Sequence, residues 1–151
     1  MPKIMPCLWF DGDAEEAAEF YVGLFKDAEI RSINRMPDGK ALTVTFRLRE
    51  QEFMALNGGP QYHFTEAVSF TIDCADQAEV DYFWDALTAD GGAESMCAWC
   101  KDKFGLSWQV VPRALPRLLG DADGGVRQRV MQAMLQMRKI DVAALERAAA
   151  G

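Results

Sequence analysis

Hydrophobic and polar positions alternate most clearly between Ala41 and Leu48, where Leu42, Val44, Phe46 and Leu48 are interleaved with Thr43, Thr45 and Arg47. A period of two predicts a strand with one buried face. Before it, Ile4–Phe10 reads as a strand and Asp13–Lys26 as a helix, with Ala17, Phe20, Tyr21, Leu24 and Phe25 as its apolar stripe. Asp13 is placed to cap that helix, and Glu15 and Glu16 favour its N-terminal dipole. Glu29–Met36 is an extended segment closed by the turn Pro37-Asp38-Gly39. Beyond the alternating strand, Arg49–Glu52 turns the chain into Phe53–Asn57, which ends on Gly58-Gly59-Pro60. The order is βαβββ.

The same order then recurs. Placing Asp11 on Asp73 brings Glu19 onto Asp81, Phe20 onto Tyr82, Tyr21 onto Phe83 and Phe25 onto Leu87. Gly91-Gly92 stops the second helix. Ser95–Pro112 reads as a hairpin with arms Met96–Lys101 and Leu106–Val111 around the turn Asp102-Lys103-Phe104-Gly105. A βαβββ unit cannot bury a sheet face alone, so two copies call for pairing. The tail is helical: Asp121–Gly125 is a break, Val126–Met137 carries Val126, Val130, Met134 and Met137 on one side, and Asp141 caps a last helix through Ala149. Helices this short need a surface to dock on, either the preceding body or a second subunit.

Charge sharpens this division. The 151 residues carry a formal charge of −7, with 9 basic and 19 acidic residues up to Pro112, and 7 basic and 4 acidic from Arg113 onward. An acidic body repels phosphate backbones and anionic headgroups, which argues against nucleic acid and membrane surfaces as partners. Electrostatic docking of the basic tail on the acidic body is expected. No apolar run approaches the roughly 18 residues of a membrane span. Four cysteines without a secretory leader point to a cytoplasmic, reducing location.

Chemistry-bearing residues are sparse. His63 is the only histidine, so a multi-histidine metal site cannot be built within one chain. It is the natural candidate for proton transfer near neutral pH, with Glu66 three residues on as an orienting carboxylate. An exposed loop histidine explains the same residue. Cys97-Ala98-Trp99-Cys100 has redox spacing, but in a strand the two sulfurs would point to opposite faces, which favours a structural role. No nucleophile elbow or phosphate loop is present.

Leu8-Trp9-Phe10-Asp11-Gly12-Asp13 with Phe20-Tyr21, Ser69-Phe70, Trp84, Cys97-Ala98-Trp99, Lys101–Gly105 and Ser107–Pro112 together resemble the PhnB-like branch of the vicinal oxygen chelate (glyoxalase/bleomycin resistance/dioxygenase) superfamily. Its members often carry the label 3-demethylubiquinone-9 3-methyltransferase. Met134–Asp141 with Leu145 also resembles its C-terminal extension. The resemblance implies an α+β fold, a single glyoxalase-like domain of two βαβββ modules (1–60 and 61–112) with a helical extension (113–151). It implies an open barrel with a cavity between the modules, and homodimers.

Metal-using members hold a divalent ion with His or Glu from four strands. Carried over by strand register, those places fall on Pro6, Ala55 or Asn57, Ala67 or Ser69, and Gln109, which make a poor ligand set, so no metal and no cofactor are expected. The same register turns Leu8, Phe10, Ala55, Asn57, Ala67, Ser69, Thr71, Ser107 and Gln109 inward. Of these, Leu8, Phe10, Asn57, Ser69, Thr71, Ser107 and Gln109 are the candidate contacts for a small organic ligand. Trp108 and Val110 would pack outward beneath helices. The methyltransferase label lacks the glycine-rich turn that a nucleotide-type cofactor needs. The expected function is therefore metal-independent small-molecule binding. The alternatives are a superfamily enzyme using a metal or an acid/base residue such as His63 or Glu66, and a purely structural or regulatory dimer.

Overall fold

A computed structural model describes residues 2–151, and two compact units divide between Phe64 and Thr65. In the first unit, β1 (Cys7–Phe10) is followed by α1 (Ala14–Leu24) and the meander β2 (Ala28–Arg35), β3 (Ala41–Leu48) and β4 (Gln51–Asn57). The strand order is β1-β4-β3-β2, with β1 and β4 parallel and the other pairs antiparallel. The second unit repeats it: β5 (Ser69–Cys74), α2 (Gln77–Thr88), β6 (Ala93–Glu94), β7 (Trp99–Lys101) and β8 (Ser107–Pro112) assemble as β5-β8-β7-β6, again with one parallel pair, β5 and β8. The duplication expected from the Asp11/Asp73 offset is therefore a duplication of topology.

Each sheet is covered on one face by its own helix. In the first unit Tyr21 of α1 stacks on Phe46, and Phe46 stacks on Phe53. Register places Leu8, Ala55 and Val44 side by side on that face, all buried. In the second unit α2 buries Val80, Phe83, Trp84 and Leu87 with Ile72, Trp108, Val110 and Cys100. Burial of each such large side chain contributes on the order of 1.5–3 kcal/mol.

Helix starts differ from expectation in one respect. Asp13 makes no side-chain capping bond, and Ala14 N donates instead to Asn57 Oδ1 (2.9 Å). Asp76 caps α2 through Glu79 N, and Asp141 caps the last helix through Ala144 N.

The tail belongs to the second unit. It contains α3 (Ala114–Leu119), absent from the sequence expectation, then α4 (Gly124–Met134) and α5 (Val142–Ala150). Leu115, Leu118, Val130, Ile140 and Leu145 form an apolar cluster with Ala98. The CxxC segment is the main departure from the expected strand: β7 starts only at Trp99, and Cys97 and Ala98 are left-handed, with φ of 57° and 78°. This strained turn is held because Cys97 N donates to Met137 O (2.8 Å) and Ala98 N to Arg138 O (3.0 Å). Gln77 adds a clasp, donating to Ile140 O and accepting from Val142 N.

Candidate functional site

Ser107 opens β8 where the chain leaves the Asp102 turn, and Asp102 fixes that turn. Its buried carboxylate accepts from Phe104 N (2.9 Å), Leu106 N (3.1 Å) and Trp108 Nε1 (2.8 Å). The Lys101–Gly105 and Trp108 motif thus has a physical basis: one acidic side chain closes the hairpin and locks the indole under α2. With Trp108 turned toward the helix, its neighbours Ser107 and Gln109 must face the other way.

Register defines what that open face carries. Ser69 lies opposite Ser107, Ser107 opposite Lys101, and Lys101 opposite Ala93. The adjoining row is Thr71, Gln109 and Trp99. Four of the candidate ligand contacts, Ser69, Thr71, Ser107 and Gln109, are therefore neighbours on one polar face, and Gln109 Nε2 donates to Ser69 Oγ (2.9 Å). At its end lies a cavity of about 230 Å³ walled by Glu66, Ala93, Glu94, Ser95, Trp99, Cys100, Lys101 and Ser107, in which the Glu94 carboxylate accepts from Trp84 Nε1 (2.8 Å) and pairs with Arg138 (3.6 Å). Ser107 is 1% exposed, and its Oγ has no hydrogen-bond partner. A buried hydroxyl left unpaired costs about 1–3 kcal/mol. It is the one such side-chain atom among the described residues. Lys101 Nζ pairs with the Glu66 carboxylate, and that hydrogen bond holds the Glu66 carboxyl below the usual range.

The remaining candidates are placed differently. Leu8 and Phe10, at 5% and 4% exposure, lie on the face that α1 covers, so the inward parity expected for the first unit is reversed by one residue. Asn57 shares that face, and its amide is committed to Ala14 N and to Ala41 O (2.9 Å). Cys7, Trp9, Met54 and Leu56 take the opposite, open face. There Trp9 Nε1 donates to Gly59 O, and Tyr62 meets the indole edge-on at 4.9 Å. Gly58 has to be glycine, since a Cβ would stand 2.4 Å from the Trp9 ring. His63 is exposed in the irregular stretch that ends the first unit.

Donor chemistry at the superfamily's metal positions does not fit a divalent ion. Ala55 and Asn57 lie on the helix-covered face, Asn57 is spoken for, and Gln109 is a neutral amide bonded to Ser69. Among the described residues no three His, Cys, Asp or Glu side chains converge. Sequence reasoning missed Trp99 and Lys101 as lining residues; the hairpin register Lys101↔Ser107 was the signal for them. Burial drives the Cys100 thiol up to about 12, so this CxxC member is inert at neutral pH. Among the described residues no helix is long and apolar enough to cross a membrane.

Two βαβββ units of identical strand order, each with one helix-covered and one open sheet face, define a duplicated glyoxalase-like architecture. Residues 2–111 match the family model described as 3-demethylubiquinone-9 3-methyltransferase, and the chain belongs to that PhnB-like family. Among solved structures it is similar to the PhnB protein of Bacillus cereus, with 34% identity and a TM-score of 0.68 over 74% of this chain and 99% of that one. Protein PA1353 from Pseudomonas aeruginosa shares the fold at 19% identity and a TM-score of 0.61, covering 74% of this chain and 98% of that one. An Arabidopsis thaliana gene product does so at 17% and 0.54, covering 74% and 98%. A search of curated proteins finds no match.

Proposed function

We propose that this protein binds a small organic molecule on the open face of its second sheet, without a metal ion. The observation that carries the reading is the Ser107 hydroxyl, buried and unpartnered in the wall of a cavity that Trp99 and Lys101 also line. Folded proteins satisfy nearly all buried polar atoms, so an orphan on a residue that lines a cavity marks a place where a bound group completes the bonding. The neighbouring Ser69–Gln109 pair and Thr71 extend the polar surface that would orient such a ligand.

The family's descriptive name is not carried over as an activity. The stretches joining β1 to α1 and β5 to α2 are Asp11-Gly12-Asp13 and Ala75-Asp76, and neither is the glycine-rich turn that cradles a nucleotide-type cofactor. We read the chain as a cytoplasmic homodimer. Its four cysteines are free, as a reducing compartment keeps them, and each unit exposes large apolar side chains that association would cover, Tyr62 in the first and Val68 and Leu135 in the second.

Benzyl alcohol, with an aromatic body and one hydroxyl, is a suitable probe. Titrated into the 15N-labelled protein, it should shift the amide signals of Trp99, Lys101 and Ser107 saturably, and Ser107→Ala should weaken that binding. Shifts confined to other regions would refute the reading.

A further inference from the structure

We propose that the Ser107 cavity is a site for a small organic oxyanion, a carboxylate or phosphate monoester, and that Glu66 is its intramolecular competitor. The inference rests on the binding reading above and names its ligand class.

Lys101 and Ser107 are cross-strand neighbours in register on the same face, so an ammonium and a buried hydroxyl converge on one space. A lysine offers three donors and a serine one, and the other carboxylate in the wall, Glu94, is taken up by Trp84 Nε1 and Arg138. Glu66 supplies a carboxylate to Lys101 but leaves Ser107 Oγ unpartnered. The resident anion therefore fills half of a two-donor site. Its hold is weak by construction: Glu66 sits in a turn before β5, and its side chain is 60% exposed against 42% for Lys101, the setting in which ion pairs contribute least.

An incoming oxyanion that reaches both donors gains the Lys101 contact that Glu66 gives up and adds the Ser107 hydrogen bond that Glu66 never makes. Hydrogen bonds to charged groups are the stronger kind, and this one forms away from solvent. Trp99 in the same wall gives the organic body an apolar surface. Ligand binding would exchange one carboxylate for another at Lys101 and free the Glu66 turn.

Benzoate, phenyl phosphate and neutral benzyl alcohol, titrated into the full-length 15N-labelled protein, separate the terms. Benzoate should bind more tightly than benzyl alcohol. Glu66→Gln should tighten benzoate roughly two- to fivefold and leave benzyl alcohol unchanged. Lys101→Met and Ser107→Ala should each weaken benzoate roughly tenfold. The amide spectra of these variants report whether they fold, and Glu66→Gln, on an exposed turn, tests the idea should either of the others fail to. Tighter binding of phenyl phosphate would assign the phosphate class, and tighter binding of benzoate the carboxylate class. If Glu66→Gln leaves benzoate unchanged, or benzoate binds no better than benzyl alcohol, the oxyanion inference falls while the cavity reading stands. If no probe perturbs Ser107, both fall.

Discussion

Asp102 gives the sharpest test of how this sequence holds its second unit together. The side chain is 2% exposed, and it satisfies three donors. Two of them, Leu106 N and Trp108 Nε1, are buried with it, while Phe104 N is partly buried. Asp102→Ala leaves these donors without acceptors, and two fully buried orphans at about 1–3 kcal/mol each give an expected loss of about 2–6 kcal/mol. Asp102→Asn is more selective. Its amide keeps an oxygen for the turn N–H groups but sets an NH2 against the Trp108 indole N–H, so one bond is lost, at about 1–3 kcal/mol. Equilibrium urea unfolding, followed by far-UV circular dichroism, reads both values. Trp108→Phe removes the indole donor, so Asp102→Asn should cost less in that background, and the difference is the coupling energy of the bond. An Asp102→Ala variant within 0.5 kcal/mol of the parent, on the order of an ordinary surface change, would refute the assignment. So would an Asp102→Asn cost that Trp108→Phe does not diminish.

Three further outcomes follow from the same structure. Asn57→Ala should lose about 1–2 kcal/mol in urea unfolding, because it removes the α1 cap and the bond to Ala41 O, whereas Asp13→Ala should change stability by under about 0.5 kcal/mol. Leu145→Ala should cost about 2–5 kcal/mol, while 0.5 M NaCl leaves the tail docked: the ion pairs Lys139–Asp81 and Arg138–Glu94 are exposed, whereas Ala98 in the tail's apolar cluster, the Cys97 and Ala98 amide bonds and the Gln77 clasp do not depend on salt. With iodoacetamide at pH 8, mass mapping should find Cys7 and Cys97 alkylated well before Cys100, whose thiol at about 12 is ionised in roughly one molecule in ten thousand.

Sequence patterning revealed the repeat because both helices carry their apolar residues at helical spacing, and because the strand Ala41–Leu48 alternates without ambiguity. Parity failed at Leu8-Trp9-Phe10, where three successive apolar residues fit either face. Only the α1 packing, with Tyr21 on Phe46, decides that Leu8 and Phe10 are core. In the second unit the polar residues Ser69, Thr71, Ser107 and Gln109 alternate with Phe70, Ile72, Trp108 and Val110, so the open face was legible. The left-handed turn at Cys97-Ala98 was not, since neither residue favours positive φ, and the bonds that hold it come from carbonyls 40 residues downstream. Nor was α3: Pro116 disguises a one-and-a-half-turn helix in which it occupies the first turn, where its missing N–H costs nothing.

That same turn gives the molecule a gauge of its own. The Cys97 and Ala98 amides are tied to the tail and to nothing else, while the Ala98 carbonyl, one atom group away, accepts from Val110 N inside the sheet. Protection of the two amides against hydrogen exchange therefore reports the free energy of tail detachment, and protection of Val110 reports opening of the sheet. Three neighbouring protons thus distinguish whether residues 113–151 open separately or the second unit opens as one cooperative block.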